Sequence, residues 1–507
     1  MAVTTFKLGE DQLTAEKLVE LARAPRPAVT VSSSARARAE SYRRHVDEIL
    51  KSERRVYGIN TGFGFMSDVA IDRDKLAQLQ ENLVRSHACG VGQPVDDDVV
   101  RALLVLRAHT FLLGHSGVRL LLVDHVLEFL KHDILPVIPC QGSVGASGDL
   151  APLAHLALGL MGEGDVRVDG ATQPAAEALR AKGLKPLKLA AKEGLALING
   201  THFMTTIAAL AVAEASVLAD TADVAAAMSL DAIRGTTRAY DPRVQSVRAQ
   251  PGQADVAARM RSLFLGKDEI MDSHKDCGRV QDPYSFRCVP QVHGATRDTL
   301  AHVRAVVDRE LNSVTDNPLV FDDGDIISGG NFHGQPVALV MDFLAIAVAE
   351  LGSISERRIE KLTNPALSGL PAFVIKDGGL NSGFMIPHVV AAALVSENKI
   401  LCHPASVDSI PTSADKEDHV SMGPIAARKA RQVIGNVRQV LAIELITAAQ
   451  GIELHAPLKP APVLAKVQGQ IRQHAEFMGK DRSLAKDIAR VATWIGGGGA
   501  REAAGLR

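Results

Sequence analysis

From Thr205 onward the chain is dominated by five long stretches of helical periodicity: Thr205–Leu230, Ala295–Asn312, Pro336–Leu362, His388–Cys402 and Ile425–Gln450. Apolar residues recur in them at three- and four-residue spacing. The last is longer than most helices of globular proteins. An apolar stripe of that length needs an equally long partner, so the pattern predicts long helices packed side by side in a bundle. Residues 1–113 read differently. Short extended segments at Thr4–Leu8 and Ala28–Ser32 flank a short helix. A charged helix Ala35–Glu53, a Gly-rich loop Tyr57–Gly64 and a helix Asp74–His87 follow. The acidic run Asp96–Asp98 suits a helix N-terminus. Small hairpins are expected at Val166–Thr172 and Leu319–Ser328, turning at Asp169-Gly170 and Asp323-Gly324. Gly496–Gly499 reads as a flexible linker to a short tail. The expected architecture is mainly α: a loop-rich N-terminal domain over residues 1–113 and a large helical-bundle domain over residues 114–507.

Composition removes several function classes. The chain has 507 residues, with 56 basic and 58 acidic side chains and a net charge of -2. That balance carries no electrostatic footprint for nucleic acid or a membrane surface. The five cysteines, Cys89, Cys140, Cys277, Cys288 and Cys402, are dispersed and odd in number, which fits a reducing compartment better than a disulfide framework. Met1–Leu18 has no apolar core of signal-peptide length. Glu214, Asp220 and Asp223 interrupt the apolar run Thr205–Leu230 and argue against a membrane span. The expectation is a soluble, cytoplasmic protein.

The stretch Gly142-Ser143-Val144-Gly145-Ala146-Ser147-Gly148-Asp149-Leu150-Ala151-Pro152-Leu153 is the most unusual in the chain. Three small residues, Ala146-Ser147-Gly148, stand immediately before a helix start. Asp149 is expected to cap that helix, and Pro152 is tolerated in its first turn. Leu153, Leu156, Ala157 and Leu160 continue as a helical stripe. Taken alone, this is a Gly-rich turn into a buried helix. A serine-hydrolase elbow is disfavoured, because Asp149 replaces the closing glycine of G-x-S-x-G and no clear strand precedes it. Neither a Walker A motif nor a dinucleotide fingerprint is present in the sequence.

The loop Ser273–Gly294 gathers Gln281, Tyr284, Arg287, two cysteines and two histidines. Three readings are open for it. His274, Cys277, Cys288 and His293 could be metal ligands, although no second close cysteine pair exists. Tyr284 and Arg287, three apart, would share a helical face, with the guanidinium free to fork onto a carboxylate and the phenol to handle a proton. Ordinary loop packing is the third. Ser86-His87, Asn199-Gly200, Gly329–His333 and Thr412–Met422 are further polar clusters in loops. Singly, His87 is a helix-end histidine, Glu417 an exposed carboxylate, and Glu356-Arg357-Arg358 a solvated or interhelical charge cluster.

With these residues in hand, the chain resembles the aromatic amino acid ammonia-lyases, from about Tyr57 to Leu454, and among them the branch acting on histidine. The Gly142–Leu153 motif carries the resemblance most specifically. The family builds its electrophile, 4-methylidene-imidazol-5-one (MIO), from an Ala-Ser-Gly triplet. Here that triplet is Ala146-Ser147-Gly148, with Gly148 nitrogen joining the Ala146 carbonyl carbon and the Ser147 hydroxyl lost. No external cofactor and no metal is implied.

The resemblance implies an aspartase/fumarase-like bundle assembling as a homotetramer with shared active sites. It implies non-oxidative deamination of L-histidine to trans-urocanate and ammonia, the opening step of histidine degradation. Tyr57 matches a candidate base near the substrate β-carbon, and His87 a contact to the substrate side chain. Asn199 matches a hydrogen-bonding partner of ring and substrate. Gln281, Tyr284 and Arg287 match the loop that binds carboxylate and serves proton chemistry. Phe332 matches a pocket wall, and Glu417 the glutamate held near the imidazole. Asp415-Lys416 precedes Glu417 where Asn-Gln is common, Gln335 stands where Glu is frequent, and His202 where Gln or Ser is usual. The rival within the fold is a tyrosine or phenylalanine ammonia-lyase or aminomutase. The rival of another class is a non-catalytic helical scaffold.

Overall fold

The computed structural model describes residues 5–52, 54–62, 69 and 71–506. Thr4, Glu53, Phe63 and Gly64, which belong to segments named above, lie outside them. The fold is 59% helical.

The chain opens with β1 (Phe6–Lys7), α1 (Ala15–Arg23), β2 (Val29–Thr30) and α2 (Ser33–Lys51), with β1 and β2 paired in parallel. Thr14 and Ser32 cap the two helices through their hydroxyls. Next come α3 (Leu76–His87), β3 (Val91–Pro94), α4 (Asp97–Phe111), α5 (Leu120–His132), β4 (Leu135–Pro136), β5 (Pro139–Gln141) and α6 (Ala151–Leu160). The hairpin β6 (Asp165–Val168) and β7 (Ala171–Pro174) turns on Asp169 and Gly170, both left-handed, as an Asp-Gly hairpin turn requires.

Helices α7 (Ala175–Ala181) and α8 (Glu193–Ile198) precede the long α9 (His202–Ala232). Then follow α10 (Pro242–Ser246), α11 (Pro251–Leu263), α12 (Glu269–Asp272), α13 (Tyr284–Arg287) and α14 (Val289–Leu311). The hairpin of β8 (Leu319–Val320) and β9 (Ile326–Ile327) leads to α15 (Gln335–Thr363), α16 (Pro365–Ser368), α17 (Met385–Leu401) and α18 (Gly423–Glu453). The chain closes with α19 (Pro462–His474), α20 (Ala485–Gly496) and α21 (Gly499–Ala503). Each of the five long helices expected from periodicity is present, extended or shifted by a few residues.

Two compact units divide the chain, with boundaries inside α9, α14, α15 and α18 and one between α17 and α18. The first comprises residues 1–210, 304–341 and 404–428. Within it Val46, Ile49, Val56, Ile59, Val320 and Ile326 form one apolar cluster, and Ala146, Val420 and Met422 form another. The second comprises residues 211–303, 342–403 and 429–507, with a cluster of Ile359, Ala391, Val440 and Ile443.

Helices α9 and α15 are long and apolar enough to cross a membrane by length and composition, yet their most apolar windows are 78% and 67% buried within the protein. On α9, Asp220 and Asp223 pair with Arg259 and Arg297 in a buried network, which explains the acids that interrupt its apolar run. In the cluster Glu356-Arg357-Arg358, Arg357 is exposed to solvent, whereas Glu356 and Arg358 are buried. Arg358 is fully buried and forks onto the equally buried Glu444 of α18 at 2.5 and 2.9 Å.

Two local expectations are corrected. Gly496–Gly499 is no linker: α20 ends and α21 begins within it, joined through the left-handed Gly498. Gly499 lies so close to the Trp494 indole that a Cβ would stand 2.1 Å from Nε1. Asp149 does not cap α6, whose N-cap is Leu150 without a side-chain bond. It caps α9 instead, accepting Phe203 N–H at 2.5 Å and Met204 N–H at 3.2 Å.

Candidate active site

Around the small-residue triplet the backbone is wound tightly. Gly145, Ser147, Gly148 and Leu150 all have positive φ, at 84°, 49°, 83° and 44°. Gly148 runs parallel against Gly200: Gly200 N–H donates to the Ser147 carbonyl at 3.1 Å, and Asp149 N–H donates to the Gly200 carbonyl at 2.8 Å. A Cβ on Gly148 would lie 2.1 Å from the Gly200 oxygen, so glycine is required by space as well as by φ. This ladder sets Asn199 beside the triplet. The Asn199 side chain is buried, and its Oδ1 has no hydrogen-bond partner among the described residues.

Under this ladder lies a buried polar layer of the first unit. Arg107, set among the buried Val105, Leu106 and Ala108 of α4, donates to the Ala196 carbonyl and to His202 Nδ1, the latter at 2.8 Å. Burial pushes the Arg107 pKa down to about 10 and holds that of His202 well below the usual value, so the imidazole is neutral and accepts. Burial likewise raises the Asp149 carboxyl to about 8, against the pull of the two backbone N–H groups it caps. Arg107 was invisible as a site residue in sequence. The available signal was an arginine following the apolar run Ala102–Leu106, where a charge must find partners.

The stretch Thr412–Met422 meets the triplet from far along the chain. Met422 N–H donates to the Val144 carbonyl at 2.9 Å, and Val420 and Met422 pack on Ala146. Ser147 Oγ–H donates to Glu417 Oε1 at 3.2 Å across 270 residues of sequence. The other carboxylate oxygen accepts Thr412 Oγ1–H at 2.8 Å and Ser413 Oγ–H at 2.7 Å. Neither hydroxyl stood out in sequence, since their link to Glu417 depends on a turn whose Ser413, Ala414 and Asp415 all have positive φ.

The remaining candidates of the first unit sit on loops tied to the same framework. His87 ends α3, with Nδ1 2.8 Å from the Leu83 carbonyl, which leaves Nε2 as the acceptor. Its following turn is fastened by the β3–β5 pairing, Val91 opposite Gln141, immediately before Gly142. Gly90 N–H donates to His155 Nε2 of α6 at 3.0 Å. Tyr57 is half-buried in a turn whose Gly58 presses on Leu195 of α8, where a Cβ would meet Cδ2 at 2.4 Å. Phe332 precedes α15; its neighbour His333 stacks on His419 at 5.7 Å between centroids and lies 3.2 Å through Nε2 from the His419 carbonyl.

In the second unit, Tyr284 and Arg287 do share one helical face. They bound α13, with the guanidinium 4.4 Å from the centre of the phenol ring. Tyr284 is 71% exposed and Gln281 is exposed, while Arg287 Nε is buried without a partner among the described residues. His274 is occupied by the Ile270 and Gly235 carbonyls at 2.8 and 2.9 Å, and His293 by Asp223 at 2.7 Å. Those contacts account for both histidines of this loop by protein packing.

A mainly helical body, a glycine-enforced Ala-Ser-Gly turn and a carboxylate on its serine define a lyase that works on amino acids. The aromatic amino acid lyase family matches residues 13–473, and the chain belongs to it. It is 56% identical over 491 residues to the histidine ammonia-lyase of Sorangium cellulosum (strain So ce56), covering 95% of each chain. The crystal structure of histidine ammonia-lyase from Trypanosoma cruzi superposes with a TM-score of 0.92 at 45% identity, over 99% of this chain and 95% of that one. Tyrosine aminomutase from Streptomyces globisporus superposes with a TM-score of 0.93 at 38% identity, over 99% and 98%.

Proposed function

We propose that this chain is a histidine ammonia-lyase, converting L-histidine to trans-urocanate and ammonia. The observation that carries the reading is the Ser147–Glu417 contact, which sets a partner for an imidazole against the residue that becomes the electrophile.

The residues present fit an MIO group. Gly148 is bare by steric necessity, Ser147 and Gly148 already turn left-handed, and Asn199 offers beside them a buried oxygen with no partner among the described residues. Ala146, Ser147 and Gly148 would form the group and Asn199 would hold it. When formed, it supplies an electrophile that makes the substrate amine a better leaving group. The chain's own side chains do the rest. Arg287 grips the α-carboxylate through its fork, with Gln281 beside it. Tyr57 and Tyr284 are the phenols available to take the β-proton, a step that depends on accurate placement because an unactivated β-carbon is a poor acid. Glu417 accepts the imidazole N–H, His87 contacts the ring, and Phe332 lines the pocket. An unpaired Glu417 would penalise a phenyl ring.

This proposal includes assembly as a homotetramer with shared sites. Tyr284 at 71% exposure calls for cover from another copy, because proton chemistry of this kind works in a water-poor site. Leu339, Phe343 and Ile346 on α15 form an exposed apolar stripe suited to such a contact. A cytoplasmic location fits five free cysteines.

The test is a substrate panel on purified protein with its intact mass. The proposal expects ultraviolet absorbance of urocanate from L-histidine, and a mass lower than the sequence mass by two waters. Deamination of tyrosine in place of histidine, or recovery of a β-amino acid, would make it a tyrosine ammonia-lyase or aminomutase. An unmodified mass without turnover would make it a scaffold.

A further inference from the structure

Glu417 is the most heavily hydrogen-bonded carboxylate of the candidate site, and its bonds are unevenly shared. Oε2 accepts two hydroxyls, Thr412 Oγ1–H at 2.8 Å and Ser413 Oγ–H at 2.7 Å. Oε1 accepts one, Ser147 Oγ–H at 3.2 Å. An ionised carboxylate offers about two acceptor directions per oxygen, so Oε2 is filled and Oε1 keeps capacity. Ser147 is also the hydroxyl that maturation of the triplet removes. Its loss leaves Oε1 open on the side facing the triplet while Oε2 stays clamped.

The backbone invests in this arrangement. Thr412 and Glu417 pair antiparallel, with Thr412 N–H donating to the Glu417 carbonyl at 3.0 Å and Glu417 N–H to the Thr412 carbonyl at 3.3 Å. To close so short a loop, Ser413, Ala414 and Asp415 take φ of 51°, 52° and 64° in succession, and none is glycine. Such a run is strained, and strain persists where surrounding bonds over-determine it. Here the over-determining bonds are those that bring two hydroxyls onto one carboxylate oxygen.

We propose that Thr412 and Ser413 are positioning residues that clamp Glu417 Oε2, so that Oε1 alone presents to the imidazole of the substrate. The proposal rests on the reading of Glu417 as the imidazole partner. The clamp fixes the carboxylate's rotation without touching substrate. Histidine selection then belongs to a three-residue unit, of which sequence displays only the glutamate.

The test uses full-length Thr412→Val, which keeps shape and loses the hydroxyl, Thr412→Ser, which restores it, Ser413→Ala and Glu417→Gln. Each is checked for intact mass and assayed for kcat and KM with L-histidine. The clamp predicts that Thr412→Val and Ser413→Ala mature fully, by mass, and each lose about tenfold in kcat/KM. Thr412→Ser should return to within about twofold of wild type, a rescue that a purely structural methyl contact would not give. Wild-type kcat/KM in Thr412→Val and Ser413→Ala beside a crippled Glu417→Gln would overturn the clamp and leave the Glu417 reading standing. Wild-type kcat/KM in Glu417→Gln would overturn both. A Thr412→Val protein that keeps its unmodified mass would place the hydroxyl in maturation and also overturn the clamp.

Discussion

Replacing Gly148 by alanine strikes the point where fold and chemistry are least separable. At φ 83° any L-residue pays a left-handed cost of about 1–2 kcal/mol. The new methyl would also stand 2.1 Å from the Gly200 oxygen and 2.3 Å from its carbonyl carbon, inside any real contact distance. The carbonyl cannot swing away cheaply, because it accepts Asp149 N–H at 2.8 Å while Gly200 N–H is bound to Ser147 at 3.1 Å. Parting the strands forfeits those two bonds, about 1 kcal/mol each, and overpacking adds about 1–3 kcal/mol. The total is about 4–7 kcal/mol.

Gly170 provides the internal control: φ is 79°, but nothing lies within 4 Å of its Cβ position, so Gly170→Ala should pay only the left-handed cost. Guanidinium unfolding of both variants beside wild type measures the difference, and intact mass reports whether the triplet matured. Gly148→Ala is expected to be the less stable by about 3 kcal/mol or more and to keep its unmodified mass. Equal stability of the two variants, with the Gly148→Ala mass lowered by two waters, would refute the reasoning.

Two further predictions concern stability. His109 is buried and accepts Gly9 N–H at 3.1 Å through Nδ1, and burial lowers its pKa to about 4. A depressed histidine pKa gives stability that is complete above the unfolded value of about 6.5 and is lost as pH falls towards 4, about 2 kcal/mol of it by pH 5. His109→Gln should flatten the decline in stability between pH 7 and pH 5 by that amount; an unchanged slope would contradict the assignment. Arg358→Met should cost about 3–5 kcal/mol, because it leaves the fully buried Glu444 without its counter-charge, on the Ser229 and Ser355 hydroxyls. A loss under about 1 kcal/mol in a denaturant titration would show the pair to be dispensable.

The long helices were legible because periodicity sustained over such lengths leaves few alternatives, and their ends moved by only a few residues. The Asp-Gly hairpin at Asp169 was legible because left-handed φ is written into that dipeptide. Asp149 was misassigned by proximity: an acid two residues before α6 is a natural cap, but its oxygens reach the start of α9, more than fifty residues onward. Gly496–Gly499 misled for a related reason. Glycines suggest freedom in sequence, whereas here Gly499 makes room for the Trp494 indole and Gly498 supplies the left-handed joint between two helices. Among the site residues, the triplet and Glu417 could be quoted from sequence, but their contact could not, since 270 residues separate Ser147 from Glu417. Thr412 and Ser413 carry no local signature at all, and Arg107 carries only that of its apolar neighbours; their roles exist only once the loops have met.

The account turns on Ser147 as the source of the electrophile and histidine as the substrate, and one measurement bears on both. Wild type and Ser147→Ala are incubated with L-histidine and followed by the ultraviolet absorbance of trans-urocanate. Ser147→Ala should fold like wild type, since the substitution removes one hydrogen bond and keeps the backbone, yet lose nearly all turnover while wild type produces urocanate steadily. Urocanate production by Ser147→Ala at the wild-type rate, or none from wild type, would contradict the account.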